Sequence, residues 1–295
     1  MEMITTTLAA YVAWLDDQPL APNTRRMYRI HAQQYAAYLQ SHPPTTGNPL
    51  AEPLARDHAI RDYKRYLKTV QLAKANTVNS ALAALDHLYR SLHMAPAQVR
   101  REDLPHQAPR ALTPNEQKRL VRTLEYWPSI RDRAVVTLLL YTGVRAGECS
   151  ALNLTDMHLS TRRGQIIVRA GKGNTYREVP LNAAVRTIMT LWLQDRAQRF
   201  PATAESALFL TRQGRRLEVR AINLLLHQIG AAAHLQFSAH TLRHTCLTNL
   251  VRHGTDLVVV AELAGHRRLD TTRRYTLPTA QDRETAMEAI IIRDE

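Results

Sequence analysis

The sequence predicts a mainly α-helical protein with one small antiparallel β-sheet, and three observations carry that reading. Apolar residues recur at helical spacing over most of the 295 residues. Only two short runs, 165–169 and 176–179, are β-rich, and the segment AGKGNT between them carries two glycines that set a hairpin turn. Pro, Gly, Asn and Thr fall between the periodic stretches and mark where each one stops.

The elements follow in order. Residues 6–17 are amphipathic through Leu8, Tyr11, Val12 and Leu15, and Pro22-Asn23-Thr24 opens a second helix carrying Met27, Ile30, Tyr35, Tyr38 and Leu39. After SHPPTTGNPL a third helix spans 55–70, and Ala75-Asn76-Thr77 begins a fourth with Leu82, Leu85, Leu88, Tyr89 and Leu92 on one face. The polar, proline-bearing RREDLPHQAPRA at 100–111 reads as an extended connector. The chain therefore divides into a helical domain over 1–99, a linker over 100–111 and a second domain over 112–295. In that second domain Thr113-Pro114 with Glu116 starts a helix, 131–141 forms another, and Gly143 ends it. The hairpin comes next, then helical patterns at 183–199, 219–233, 240–253, 256–264 and 280–292.

Charge narrows the partner. Lys and Arg number 39 against 26 Asp and Glu, for a net +13, a field that draws polyanions such as nucleic acid. The excess lies in the second domain: residues 1–105 hold 12 basic against 9 acidic residues, the rest 27 against 17. Of the 39, 34 are Arg, whose planar fork matches phosphate oxygens and stays charged. Only Cys149 and Cys246 occur, too few for a disulfide framework, which fits a reducing cytoplasm. Neither a secretory leader nor an apolar run of about 20 residues is legible, so no membrane span is expected.

Five fragments of the second domain carry candidate chemistry: TGVRAGE at 142–148, GKG at 171–173, HTLRH at 240–244, AGH at 264–266 and TTRRYT at 271–276. Each is ordinary alone; Lys172 suits an exposed hairpin tip, His266 a helix end, Tyr275 a core position. Their order and spacing are not ordinary. HxxR, then GH about two dozen residues on, then Tyr275 nine residues beyond His266, together resemble the tyrosine recombinase (phage integrase) family, nearest in layout to its short Xer-type and transposon-resolving members. The segments PNTRRMYRIHAQQYAAYL and NTVNSALAALDHLYRSL are a looser match to that family's core-binding domain.

The resemblance implies a SAM-like four-helix core-binding domain, an α+β catalytic domain, and Arg145, Lys172, His240, Arg243, His266 and Tyr275 as the catalytic set. The residue types suit the chemistry independently. Two permanent guanidinium groups, Arg145 and Arg243, can neutralise the charge that builds on phosphodiester oxygens. A phenol's ordinary pKa near 10 lies about 4 kcal/mol from ionisation at neutral pH, so Tyr275 needs a proton acceptor. His240 is the candidate, with His266 on the phosphate and Lys172 as acid for the departing 5′-oxygen. Glu148, one turn beyond Arg145, either holds that guanidinium or a nearby histidine, or forms a surface pair. His244 and His253 stand outside the set, the first because it follows Arg243 and points to a different face. Candidate DNA contacts are Arg25, Arg26, Arg29, Lys64, Lys74, Arg273 and Arg274; a solvated helix surface explains those of the first domain equally well.

By the same resemblance the product is a 3′-phosphotyrosyl link resealed through a Holliday junction, on double-stranded DNA with inverted half-sites. A homo-tetramer would form on two such sites through exchange of a C-terminal helix at 279–292, and a partner recombinase or accessory protein stays open. No cofactor or metal is expected. The competing readings are a DNA-binding regulator on the same fold, a type IB topoisomerase-like enzyme, and a histidine-rich metallohydrolase, for which no HExxH or acidic cluster is present.

Overall fold

The computed structural model describes residues 2–45, 47–104, 110–169, 176–201, 203, 205–266, 269–273, 275–277 and 287, with only the backbone of 2, 269 and 270. The chain divides into two compact units, Met1–His106 and Gln107–Glu295.

In the first unit α1 (Glu2–Asp16), α2 (Pro22–Ser41), α3 (Pro53–Thr69) and α4 (Ala75–Ser91) pack around one core. Prolines open α2 and α3, where the missing N–H costs nothing and the fixed φ already suits a helix. Tyrosines fill the centre: Tyr11, Tyr35, Tyr63 and Tyr89 are each buried, and Tyr35 and Tyr89 satisfy each other's hydroxyls at 2.9 Å. Residues 100–104, beyond α4, carry no regular secondary structure and are tied to the first unit. Asn79 exchanges hydrogen bonds with the backbone of Glu102 in both directions, and the Glu102 carboxylate takes Lys64 at 2.7 Å and Lys68 at 2.9 Å.

The second unit begins with α5 (Pro114–Glu125), whose Thr113 and Glu116 close a reciprocal capping box. Next come α6 (Ile130–Thr142), the six-residue α7 (Ala146–Ala151), and β1 (Met157–Leu159), β2 (Gly164–Val168) and β3 (Arg177–Pro180). The strands form one antiparallel sheet in the order β1-β2-β3, with Met157 opposite Ile166 and Ile166 opposite Val179. α8 (Ala183–Arg199), α9 (Val219–Ala232), α10 (Ala239–Arg252), α11 (Leu257–Ala264) and α12 (Leu269–Arg273) complete it. α6 is buried nearly all round, from Ala134 through Leu140, and serves as the axis on which α8 and α10 pack. No helix among the described residues is long and apolar enough to cross a membrane.

Two left-handed glycines place the ends that matter. Gly143 (φ 63°) terminates α6, and Gly265 (φ 63°) terminates α11. A side chain at 265 would also come within 2.9 Å of Arg177 Nη1, so that position needs glycine for room as well as for φ.

Candidate active site

The site grows out of α10. Ser238 caps this helix by accepting from the Thr241 N–H, and its first two turns present His240, Arg243 and His244. Arg243 is 2% exposed and points into the unit. Its Nη1 donates to the Gly143 carbonyl at 2.5 Å, its Nη2 to the Ala264 carbonyl at 2.6 Å, and Nη2 also lies 3.1 Å from His266 Nε2. One guanidinium thus joins the end of α6, the end of α11 and a second candidate residue. Burial first, then the neighbouring charge of Arg145, lowers its pKa to about 10, which leaves it cationic at neutral pH.

Arg145 sits just before α7, and Glu148 in the first turn of that helix accepts from both its backbone N–H (2.8 Å) and its Nη1 (2.7 Å). Glu148 is 5% exposed, so this is no surface pair. Its other partner is Arg177 of β3, also buried, which donates Nη2 at 2.7 Å and Nη1 at 3.1 Å while its Nε reaches the Leu263 carbonyl at 2.9 Å. Burial pushes the Glu148 carboxyl up, but the hydrogen bonds from Arg177 and the Arg145 N–H outweigh it and hold the pKa below its ordinary value. Arg177 was not among the expected residues. The strand pattern contained the signal: Arg177 and Val179 share a face, and that face is buried.

His266 has both ring nitrogens engaged, Nε2 toward Arg243 and Nδ1 toward Thr272 Oγ1 at 2.9 Å. Because a guanidinium can only donate, Nε2 is the accepting nitrogen and Nδ1 carries the proton. Burial, followed by Arg243, Arg145 and Arg177, lowers its pKa to about 4. In this arrangement the ring is neutral, and reaching a phosphate through Nε2 requires it to leave Arg243. A histidine with a depressed folded pKa takes up its proton more readily when unfolded. Its stabilising contribution is therefore complete above pH 6.5 and declines as pH falls toward 4. Allowing for the ring's partial exposure, wild type is expected to lose about 2 kcal/mol more than His266→Gln between pH 7 and 4.5. Urea titrations at the two pH values check this; equal losses would contradict it.

Tyr275 emerges from α12 with its ring 7% exposed, packed among Leu247, Val260 and Ala264. His266 lies parallel to it, ring centroids 6.1 Å apart at 5°. Its hydroxyl is 2.9 Å from Nδ1 of His244. This corrects the exclusion of His244: it does face away from Arg243, about 100° round the helix, but the chain leaving α12 descends on that other face. His240, the expected acceptor, is exposed one turn earlier with its ring edge-on to His244, centroids 4.2 Å apart. The i, i+4 spacing of the two histidines was the available signal. His253 stays at the far end of α10, on its own helix's Asn249 carbonyl.

The remaining candidates are scattered. Lys172, Arg274 and, apart from Met287, the 279–292 segment lie outside the described residues. Arg273 is exposed on the last turn of α12. In the first unit Arg25 donates to the Asp16 carbonyl and Arg29 pairs with the Asp16 carboxylate at 2.6 Å, while Arg26 and Lys74 are exposed at the starts of α2 and α4. Lys64 spends its charge on Glu102 and the Arg100 carbonyl. Both thiols are buried and pushed up to about 12 by burial, which leaves them inert as nucleophiles. Among the described residues no three His, Cys, Asp or Glu side chains converge as a metal site would require.

Residues 110–282, which include the whole cluster, match the phage integrase family. The chain belongs to that family. It is a tyrosine-type recombinase by class, and its relatives agree along its length. It is 28% identical over 281 residues to the tyrosine recombinase XerA of Pyrococcus furiosus, covering 95% of this chain and 92% of that one. It is 40% identical over 152 residues to XerC of Mycobacterium tuberculosis, half of each chain. Among solved structures, XerH bound to its difH substrate in a pre-cleavage complex superposes with a TM-score of 0.70 at 21% identity, covering 90% of this chain and 79% of that one. That last likeness concerns the fold.

Proposed function

We propose that this recombinase cuts and rejoins double-stranded DNA at a specific site through a 3′-phosphotyrosyl intermediate on Tyr275. The observation that carries the reading is the seating of the Tyr275 hydroxyl against an imidazole while its ring stacks on His266, which in turn touches Arg243. Three distant segments thereby hold a nucleophile, a proton acceptor and a cation together. Tyr275 Oη would attack phosphorus, giving its proton to an imidazole of α10. The bond from phosphorus to the 5′-oxygen breaks, and Lys172 supplies that oxygen's proton. Arg145 and Arg243 neutralise the non-bridging oxygens; a guanidinium carries five N–H groups, more than the three contacts Arg243 makes here. The phosphoester energy is retained in the covalent link, so a second 5′-hydroxyl reseals the strand without ATP.

Arg26, Arg29, Lys74 and Arg273 are proposed to meet backbone phosphates and fix register. Strand exchange by pairs through a Holliday junction, on a tetramer linked by the 279–292 segment, completes the proposal. The relatives named tyrosine recombinases support recombination as the activity.

The test is covalent capture. A pool of randomised duplexes, each nicked so that a cleaved end diffuses away, is incubated with the full chain in chelator. Wild type is expected to yield a denaturation-resistant adduct on the 3′ side enriched for one sequence, and Tyr275→Phe to yield none while still binding DNA. An adduct that survives in Tyr275→Phe removes Tyr275 as nucleophile. Binding without any adduct in wild type favours a regulator on the same fold.

A further inference from the structure

We propose that His244 is a catalytic residue of this enzyme, its Nδ1 taking the proton of Tyr275 as the tyrosyl–phosphate bond forms. The inference rests on the strand-cutting reading above. It goes beyond it by assigning the proton acceptor to a residue that the motif HxxR does not contain.

Geometry comes first. Tyr275 Oη and His244 Nδ1 are 2.9 Å apart, at hydrogen-bond distance. The two rings stand 5.4 Å apart and tilted by 46°, so the contact runs from hydroxyl to ring edge and is not stacking. His244 is held from behind by the edge-on ring of His240 and stands on a helix whose first turn is capped and whose next residues, Thr245 to Leu247, are buried. A base carried on a capped helix with a buried inner face is held at a fixed position, which is what a proton acceptor requires.

The other imidazole against Tyr275 is unsuited to the task. His266 presents a flat face to the phenol, and its two nitrogens face Arg243 and Thr272. Burial and three guanidinium groups make it a weak base, with a pKa of about 4. Among the described residues, the charged and titratable groups around the His244–Tyr275 pair include His240 on the same helix, Arg243 behind it, and His266 on the far side of the phenol, with Arg145 and Arg177 beyond. These three guanidinium groups gather on the His266 side, where a phosphate would be held.

The step balances. The Oη–phosphorus bond forms and the phosphorus–O5′ bond breaks. The hydroxyl proton passes to His244 Nδ1, and the 5′-oxygen takes its proton from the ammonium group assigned above. On religation the imidazolium returns the proton to Oη.

The experiment uses the full chain and the nicked duplex recovered by covalent capture, and reads the rate of adduct formation against pH for wild type, H244A and H244N. Asparagine places an oxygen near the position of Nδ1, so it keeps a hydrogen-bond acceptor but removes the base. Both variants are expected to be slower at pH 7 by about 10²-fold or more. Their rates should climb with pH toward the phenol's ordinary value near 10, while wild type levels off above imidazole's range, with DNA affinity unchanged in all three. An H244N rate equal to wild type would overturn the proposal, because holding the hydroxyl would then suffice. So would an H244A rate equal to or above wild type, because the bond would then only park the tyrosine. Y275F, run beside them, separates the two levels: an adduct in Y275F overturns the cutting reading itself, whereas its loss in Y275F with full activity in H244N overturns this inference alone.

Discussion

Glu148→Gln is expected to destabilise the second unit by about 3–5 kcal/mol, because it removes one partner of a buried ion pair and leaves the other charged. The four N–H groups on the two Glu148 oxygens come from Arg145 and Arg177. An amide offers one accepting oxygen and no charge, so Arg177, 6% exposed, would keep a buried positive charge without a counterion. The cost should spread along the bonds that Arg177 makes. β3 would loosen from α11, where Arg177 Nε holds the Leu263 carbonyl, and hydrogen exchange of amides in both elements should accelerate together. The double variant Glu148→Gln with Arg177→Met should recover at least about 2 kcal/mol relative to simple addition of the two single losses. Additive losses would show that the pair contributes nothing as a pair. Acid acts in the same direction. The Glu148 carboxyl has its pKa lowered in the fold, so its stabilisation is present above the ordinary carboxylate range and is lost as pH falls through the depressed value. Adduct formation should suffer as well, since Arg145 would lose the carboxylate that fixes its guanidinium.

That network also shows where sequence reading stops. The long helices were legible because each announces itself locally: Pro22 opens α2, the Thr113–Glu116 box opens α5, and Gly143 closes α6 in the left-handed conformation that it alone adopts without strain. The short elements were not. β1 has three residues and exists through its pairing with β2, and α7 has six, fewer than two full turns of periodicity. The same division runs through the site. Arg145, His240, Arg243, His266 and Tyr275 stand out by order and spacing, but which nitrogen faces which oxygen is set by how α10, α11 and the chain after α12 meet. Arg177 and His244 entered the site that way. One reads as a strand residue between a hairpin and a proline, the other as the neighbour of an arginine, and only their tertiary partners distinguish them.

Arg243→Lys tests the densest point of that meeting, and the expected result is a loss of adduct formation of about 10³-fold together with about 2–4 kcal/mol of stability. Charge is conserved in this substitution, so neither loss can come from electrostatics at a distance. Lysine carries one nitrogen where arginine carries a fork. It can meet the Gly143 carbonyl or the Ala264 carbonyl, and the one it abandons is left buried without a donor, which costs about 1–3 kcal/mol. Those carbonyls belong to the ends of α6 and α11, the two turns that lead to Arg145 and to His266, so releasing either one shifts a further candidate residue. His266 would also lose its contact with Nη2, freeing the ring that lies parallel to Tyr275. The chemical loss follows because donors aimed at developing charge are each worth about 10²–10³ in rate, and a misplaced one is worth little. Adduct yield over time and thermal unfolding, measured on the same preparation, separate the two parts. Adduct formation within about tenfold of wild type alongside a clear stability loss would mean that Arg243 serves as a structural pin and that the phosphate is held by Arg145; unchanged stability would mean that the two carbonyls find other donors.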